Sequence, residues 1–165
     1  MKGPLHTFFD ADHRRLDALL KRSMSDPGSI DPGPFGEFRA GLLRHIGMEE
    51  KVLFAAASRA RADRLPIFAK LRVDHGAIAS LLVPSPTPET VAEILGVLGP
   101  HNRREEEPGG AYDICDEAIG LEGATRLVDE LAAFPIPPLR EHNDAPVVWD
   151  HIRVNLDLSR RQWSG

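Results

Sequence analysis

The apolar positions of the chain recur every three or four residues in four successive segments, the period of an amphipathic α-helix. No segment alternates residue by residue, as a half-buried β-strand would. The pattern therefore predicts an all-α protein. We call the apolar side of each helix its seam, and the four seams consist of Phe9, His13, Leu16 and Leu20; Phe38, Leu42, His45, Glu49, Val52 and Ala56; Phe68, Leu71, His75, Ile78 and Leu82; and Val91, Ile94, Leu98, His101 and Glu105.

Clusters of proline and glycine divide the chain between these segments. Four amphipathic helices joined by short or moderate turns predict an antiparallel up-and-down four-helix bundle, with every seam facing a common axis. The clusters are SDPGSIDPGP (25–34), VPSPTP (83–88), EPGG (107–110) and PIPP (135–138).

A further helix is expected at about residues 120–133, so that residues 1–134 would form the bundle with one following helix. Residues 135–165 would be a C-terminal extension, packed on the bundle or partly flexible. Its periodicity is weak, and the residues spaced to pack as a terminal helix are Trp149, Ile152 and Leu156.

The two halves of the bundle resemble each other. ADHRRLDALL (11–20) aligns with VDHGAIASLL (73–82), and both contain Asp-His and end in Leu-Leu. LRHIGMEE (43–50) aligns with GPHNRREE (99–106), and both contain His followed by Glu-Glu. Each half is therefore a helix with one histidine, followed by a helix with His-x-x-x-Glu.

Six polar residues occupy seam positions where a bundle would ordinarily place leucine or isoleucine. Burying them would be costly unless something satisfies them, and a pair of metal ions would do so. In each His-x-x-x-Glu pair, the two Cβ atoms lie about 5 to 6 Å apart on one helix face, so each pair could bind one ion. The candidate ligands are His13, His45, Glu49, His75, His101 and Glu105.

Imidazole and carboxylate ligands suit iron or manganese, whereas structural zinc usually takes four ligands in which thiolates are prominent. The chain has a single cysteine, Cys115. Iron is therefore the first hypothesis, and manganese or zinc fits this set less well.

These motifs resemble those of the hemerythrin-like, or HHE cation-binding, domains, whose repeated signature is a lone histidine followed by His-x-x-x-Glu. The resemblance covers about residues 5–117. It implies a four-helix bundle with a non-heme di-iron centre, oxo- or hydroxo-bridged, held by the six ligands given above. It also implies that the protein binds or senses dioxygen, nitric oxide or iron.

One departure concerns the number of histidines. The oxygen-carrying hemerythrins have a further histidine one turn after the third-helix ligand, where this chain has Ala79. With about six positions per ion, four histidines, two bridging carboxylates and an oxo bridge leave about two positions open. This favours a reactive or sensing site over a simple oxygen carrier. A di-iron peroxidase or oxidase acting on peroxide, oxygen or nitrogen oxides is the alternative, and a structural bundle is a third hypothesis.

Five further residues are candidates for additional ligation or for contacts around the ligands: His6, Asp17, Glu50, Glu106 and Tyr112. His6 lies two helical turns before His13. Capping, surface charge or contact with a ligand is favoured for Asp17. Glu50 and Glu106 follow their histidines by five residues, which fits one helix face less well than four.

Proline and two glycines at residues 108–110 should kink or stop the fourth helix beside the site. The break could open a path for small molecules or could simply end the helix. Tyr112 would face the site if the helix continued, being seven residues from Glu105.

Composition narrows the range of partners. The net charge is −5 and no basic stripe with interleaved aromatic residues occurs, which argues against nucleic acid. No segment approaches the roughly 18 apolar residues of a membrane span, and the N-terminus becomes polar too early for a signal peptide. With one cysteine, a cytoplasmic protein is expected. The expected partners are dioxygen, nitric oxide or peroxide, and the pattern predicts no oligomeric state.

Overall fold

A computed structural model describes residues 1–165 and contains eight α-helices, one π-helical segment and no β-strand. The prediction of an all-α protein is confirmed. The helices are α1 (Pro4–Ser23), α2 (Pro32–Met48), α3 (Phe54–Arg61), α4 (Pro66–Leu81), α5 (Pro88–Glu106), α6 (Ala111–Ile119), α7 (Leu121–Ala132) and α8 (Pro146–Gln162), and the π-helical segment is Glu49–Leu53.

Most helices begin at a proline. Proline occupies the first turn of α1, α2, α4, α5 and α8, where its missing N–H would have no helical partner in any case. Asp31 caps α2 by accepting a hydrogen bond from the backbone N–H of Gly33. Thr87 and Thr90 cap α5 through reciprocal bonds between side chain and backbone. Local sequence therefore sets where the helices that carry the site begin.

Two apolar clusters form the core. The larger contains 16 buried residues and the smaller contains 13. Along α1, Leu5 and Phe9 belong to the smaller cluster, Leu16 and Leu20 belong to the larger, and His13 lies between them. In α2 and α4 a seam histidine also separates residues of one cluster from residues of the other, and in α5 His101 follows four residues of the larger cluster. The histidines therefore form a polar layer between two apolar cores.

Helix α5 stops beside this layer, as expected, and four residues separate its end from the start of α6. Two glycines make the connection possible. Gly109 has a φ of +76°, which side chains disfavour, and a Cβ on Gly110 would lie 2.6 Å from the carbonyl oxygen of Arg104. The chain therefore turns tightly enough to bring α6 back against the site.

The chain is helical without interruption from α2 to α3, but it is not a regular α-helix throughout. Residues 49–53 are π-helical, and Glu49 is the first of them. A π-helical turn contains one extra residue, and such turns are frequent at functional sites. Here it follows His45 by one turn and shifts the direction of the residues after Glu49.

The C-terminal part contains the helix expected at about 120–133, which is α7, and a longer terminal helix, α8, which packs against α4. Ile152 and Leu156 are buried in the larger cluster. Trp149 is 37 % exposed, and Val148 is buried instead. None of the helices combines the length and apolar character that crossing a membrane requires.

Candidate metal centre

The six predicted ligands meet in the polar layer between the two apolar clusters. The four main helices of the bundle are α1, α2, α4 and α5, and each contributes one histidine. Helix α5 also contributes Glu105, and the π-helical segment contributes Glu49. Every one of these residues is at most 5 % exposed, and both glutamates are completely buried. The sequence repeat therefore corresponds to one compact cluster of side chains.

The cluster consists of two overlapping groups whose potential ligand atoms lie within 4.8 Å of one another. One group contains His13 and His45, and the other contains His75 and His101. Glu49 and Glu105 belong to both. Each group is a set of nitrogen and oxygen donors that could hold a metal ion.

The two oxygens of each shared carboxylate face different histidine pairs. Glu49 Oε1 lies 3.3 Å from His45 Nε2, and its Oε2 lies 3.0 Å from His75 Nε2. Glu105 Oε2 lies 3.5 Å from His13 Nε2, and its Oε1 lies 2.9 Å from His101 Nε2. Each carboxylate therefore faces both groups of potential ligands.

Three of these atoms are buried without a hydrogen-bond partner: Glu49 Oε2, Glu105 Oε1 and His75 Nε2. Although His75 Nε2 and Glu49 Oε2 are only 3.0 Å apart, their relative orientation is not that of a hydrogen bond. Buried polar atoms without a partner are rare and costly. All three belong to the His75–His101 group, and a cation among them would satisfy all three.

The outward-facing nitrogen of every histidine in the cluster contacts a carboxylate. Such a contact fixes the ring so that the other nitrogen points inward, as is typical of metal-binding histidines. The four Nδ1–oxygen distances are 2.5 Å for His13–Glu106, 2.8 Å for His45–Asp12, 2.9 Å for His75–Glu50 and 3.1 Å for His101–Asp74.

In two of these contacts the carboxylate is the second glutamate of a Glu-Glu pair. Glu50 contacts His75 and Glu106 contacts His13, so each reaches a histidine of the opposite half of the repeat. Neither belongs to the two groups at the centre. Glu106 is held in turn by the guanidinium of Arg14, at 2.6 Å.

Asp12 and Asp74 complete the ring of carboxylates, and the sequence analysis did not assign them to the site. Each contacts the second histidine of its own half. Their signal was present, because the Asp-His dipeptide is one of the features that the two halves share. The dipeptide does not indicate which histidine the aspartate contacts, because each aspartate precedes one histidine but contacts another on the next helix of its half.

Tyr112 reaches the centre from α6. Its hydroxyl donates to Glu49 Oε1 at 2.6 Å, lies 3.1 Å from Glu105 Oε2, and is 3.2 and 3.4 Å from the Nε2 atoms of His13 and His45. Burial and the two glutamate charges raise the pKa of the phenol well above its usual range. The phenol of Tyr112 therefore stays protonated in the metal-free protein. The atoms that it contacts are the two Nε2 atoms of His13 and His45 and the glutamate oxygens that face them.

The carboxylates raise the pKa values of histidines in the cluster, among them His45 and His101. Burial opposes protonation of His45, but Glu49 and Asp12 outweigh it and raise the pKa to about 10. His101 has the same balance, with burial opposed by Glu105 and a second carboxylate, and its pKa is also raised to about 10. The buried carboxylates therefore favour the protonated form of these two rings.

His6 and Asp17 lie outside the cluster. The Nδ1 of His6 contacts Asp113 at 2.6 Å, and no atom of His6 belongs to either group of potential ligands. Asp17 is half exposed and pairs with Lys21 one turn along α1, at 2.7 Å. The structure therefore brings neither of them to the shared glutamates.

A surface cleft of about 440 Å³ reaches the cluster at His13, which is the only one of the six residues in its lining. The cleft is polar, and its lining includes Arg14, Asn102 and Arg103. An adjoining, more enclosed recess of about 100 Å³ also reaches His13 and is lined mainly by leucines and Phe38. His13 is thus the one residue of the cluster that borders these two surface cavities.

No thiol takes part in the cluster, because Cys115 is buried in the smaller apolar cluster and belongs to neither group. The donors are therefore imidazole and carboxylate only. No protein-family model, curated protein or solved structure matches the chain. Its function is therefore inferred from the cluster and the repeated motif.

Proposed function

We propose that this protein is a hemerythrin-like metal-binding protein whose helices hold two non-heme iron ions, and that it binds or senses dioxygen, nitric oxide or iron. The observation that carries the proposal is the pair of overlapping groups that share Glu49 and Glu105. One oxygen of each glutamate faces each histidine pair, which is the geometry of two bridging carboxylates. The order and spacing of the six residues support the resemblance to HHE domains.

We propose that the four main helices run up and down around the cluster. The order of the apolar clusters along the chain supports this. Helices α1 and α4 pass from the smaller cluster to the larger, α2 passes from the larger to the smaller, and α5 begins in the larger and is followed by α6 in the smaller. Consecutive helices with opposite order are antiparallel, as in an up-and-down four-helix bundle.

Charge supports two cations rather than one. Six carboxylates surround the four imidazoles, two at the centre and four behind the rings. When the imidazoles are neutral, as metal binding requires, the three carboxylates that are at most 1 % exposed, Glu49, Glu105 and Asp74, carry more negative charge than one divalent ion offsets. Iron suits such nitrogen and oxygen donors, whereas a structural zinc site would more often include thiolates.

When bound, a ferrous pair supplies electrons to a small ligand such as dioxygen. The protein's own residues set the conditions. The outer carboxylates hold each imidazole with its Nε2 inward and increase its basicity. Glu49 and Glu105, which belong to both groups, would hold both ions. The two apolar clusters above and below keep water from the layer, and Tyr112 supplies a hydrogen-bond donor on the side that the cleft reaches.

A di-iron peroxidase or oxidase is the second candidate, and the cleft at His13 favours it. Its polar lining, with two arginines, an asparagine and the carboxylates of Asp17, Glu106 and Glu107, could admit a small polar substrate such as peroxide or a nitrogen oxide. A binding or sensing protein should take up one equivalent of ligand and stop. Steady-state consumption of peroxide or nitric oxide would instead identify an enzyme.

The proposal is tested by elemental analysis of protein purified without an affinity tag, combined with absorption spectra. Spectra are recorded as isolated, after anaerobic reduction and after exposure to air. We expect about two iron ions per chain and charge-transfer bands that respond to oxygen. Two irons without an oxygen response would restrict the function to iron sensing or storage.

A protein that contains no metal, takes up none on reconstitution, and unfolds at the same temperature with and without chelator would overturn the proposal. Because ion binding to the folded state must stabilise it, the thermal measurement does not depend on which metal is native.

A further inference from the structure

The two aspartates behind the cluster are equivalent in sequence but not in environment. Asp12 precedes His13 and Asp74 precedes His75 in the repeat, and each contacts the second histidine of its half. The side chain of Asp12 is 11 % exposed, whereas that of Asp74 is 1 % exposed. The difference arises from the C-terminal helix, which lies outside the repeat.

The end of α8 provides three hydrogen-bond donors to one oxygen of Asp74. Its Oδ1 accepts bonds from Ser159 Oγ at 2.7 Å, Gln162 Nε2 at 2.9 Å and Trp163 Nε1 at 3.0 Å. The other oxygen, Oδ2, lies 3.1 Å from His101 Nδ1, and Trp163 Nε1 also donates to it, at 3.2 Å. A buried carboxylate with this many donors has one fixed orientation.

Asp12 has no such support. Apart from His45, its partner is Arg15, three residues along the same helix. The guanidinium of Arg15 donates to Asp12 at 2.9 Å, and the Arg15 side chain is 48 % exposed. No residue of the C-terminal extension contacts it. The His13–His45 group thus provides an internal comparison for the His75–His101 group.

The donors on α8 are themselves anchored. Gln162 Nε2 also donates to the backbone oxygen of Lys70 at 2.7 Å. The Trp163 ring lies 3.8 Å from the guanidinium of Arg104 and 4.8 Å from Lys70 Nζ. These contacts join α8 to α4 and to α5 beside Glu105.

We propose that the end of α8 is a positioning element for the ion held by His75 and His101. Ser159, Gln162 and Trp163 hold Asp74, and Asp74 holds the ring of His101 with its Nε2 toward Glu105. This inference rests on the proposed metal-binding function. It makes affinity at one of the two ion sites depend on docking of the C-terminal helix, while the other site is independent of it.

The test is a double variant, Ser159→Ala with Trp163→Phe, in the full chain. Phenylalanine retains an aromatic ring beside Arg104 but has no N–H. Leu158→Ala is the matched control, because Leu158 is 52 % exposed on the same helix and does not contact Asp74. Each protein is titrated with Fe²⁺ under anaerobic conditions by calorimetry.

Loss of a contact behind a metal ligand typically weakens binding 10- to 100-fold. We therefore expect one of the two Fe²⁺ binding events to weaken by about this factor in the double variant, and the other to stay unchanged. The control should retain both. Ser159→Ala alone, which removes one bond, should give a smaller effect in the same direction and keeps the test valid if the double variant unfolds.

A second measurement separates positioning from general loosening of the fold. In the metal-free protein, the ¹⁵N NMR signal of His101 Nδ1 should change in the double variant, while that of His45 should not. If the variants bind two ions with wild-type affinities, the role assigned to α8 is wrong and the proposed function stands. If the unmodified protein binds no Fe²⁺, both are overturned.

Discussion

Glu49→Gln is the most direct test of a shared carboxylate. Glu49 is completely buried, and its oxygens lie 3.3 Å from His45 Nε2 and 3.0 Å from His75 Nε2, on opposite sides of the cluster. Glutamine has nearly the same shape but is neutral and has only one oxygen. It cannot offer an anionic ligand to both ions. We therefore expect the variant to lose high-affinity binding of both.

The size of the effect follows from linkage. An ion present at 100 times its Kd stabilises the folded state by about 2.7 kcal/mol, so two ions contribute about 5 kcal/mol. For a chain of 165 residues, each kcal/mol raises Tm by about 2 to 4 °C. The unmodified protein should therefore gain about 10 to 20 °C from Fe²⁺ relative to chelator, and Glu49→Gln should gain little of it.

Glu50→Gln is the matched control, because it makes the same chemical change at the next residue. Glu50 contacts the outer nitrogen of His75 at 2.9 Å and belongs to neither group of ligands. Its loss should weaken one ion by 10- to 100-fold, or about 1.4 to 2.7 kcal/mol. This variant should therefore keep about half or more of the metal-dependent rise in Tm.

Both variants are measured by circular dichroism during heating, with chelator and with anaerobic Fe²⁺, and their metal content is determined by elemental analysis. Comparing each variant with itself removes any effect of the substitution on the metal-free fold. The bridging role is refuted if Glu49→Gln retains two ions and a wild-type rise in Tm. It is also refuted if the two variants lose stabilisation equally.

Three other substitutions test single features of the structure. Tyr112→Phe removes the hydroxyl that donates to Glu49 at 2.6 Å. We expect the free energy of unfolding of the metal-free protein to fall by about 1.5 to 3 kcal/mol in urea with chelator, and an unchanged midpoint would contradict the contact. His6→Asn should leave the metal content unchanged in elemental analysis, because His6 lies outside both groups, and loss of an ion would make it a ligand. Gly110→Ala should cost about 1 to 3 kcal/mol in urea unfolding, since its Cβ would lie 2.6 Å from the carbonyl oxygen of Arg104, whereas wild-type stability would show that the turn can relax.

The parts of this site that could be predicted from the sequence are those that depend on one helix at a time. His45 and Glu49 are four residues apart, as are His101 and Glu105, and this spacing alone places each pair on one face. Repetition of the pattern then indicated that the two pairs belong together. The helices themselves followed from the same periodicity, which packing around a core requires.

The parts that could not be predicted depend on contacts between helices. Asp12 contacts a histidine 33 residues later, and Asp74 contacts one 27 residues later, so no spacing within a helix indicates either partner. The π-helical turn at Glu49 involves a single extra residue and has no distinct composition. Tyr112 reached the centre although the helix breaks before it, because α6 turns back against α1 and α3.

These unpredicted contacts make the two halves of a repeated sequence unequal. On the His13–His45 side there is a cleft open to solvent and a tyrosine hydroxyl at the centre. On the other side, α8 covers α4, and its end fixes Asp74 behind His101. Of the six candidate ligands, only His13 lines the cleft. If two ions bind as proposed, we expect the one held by His75 and His101 to have the more fixed surroundings, so that the two ions differ in access and in affinity although both groups offer the same types of ligand.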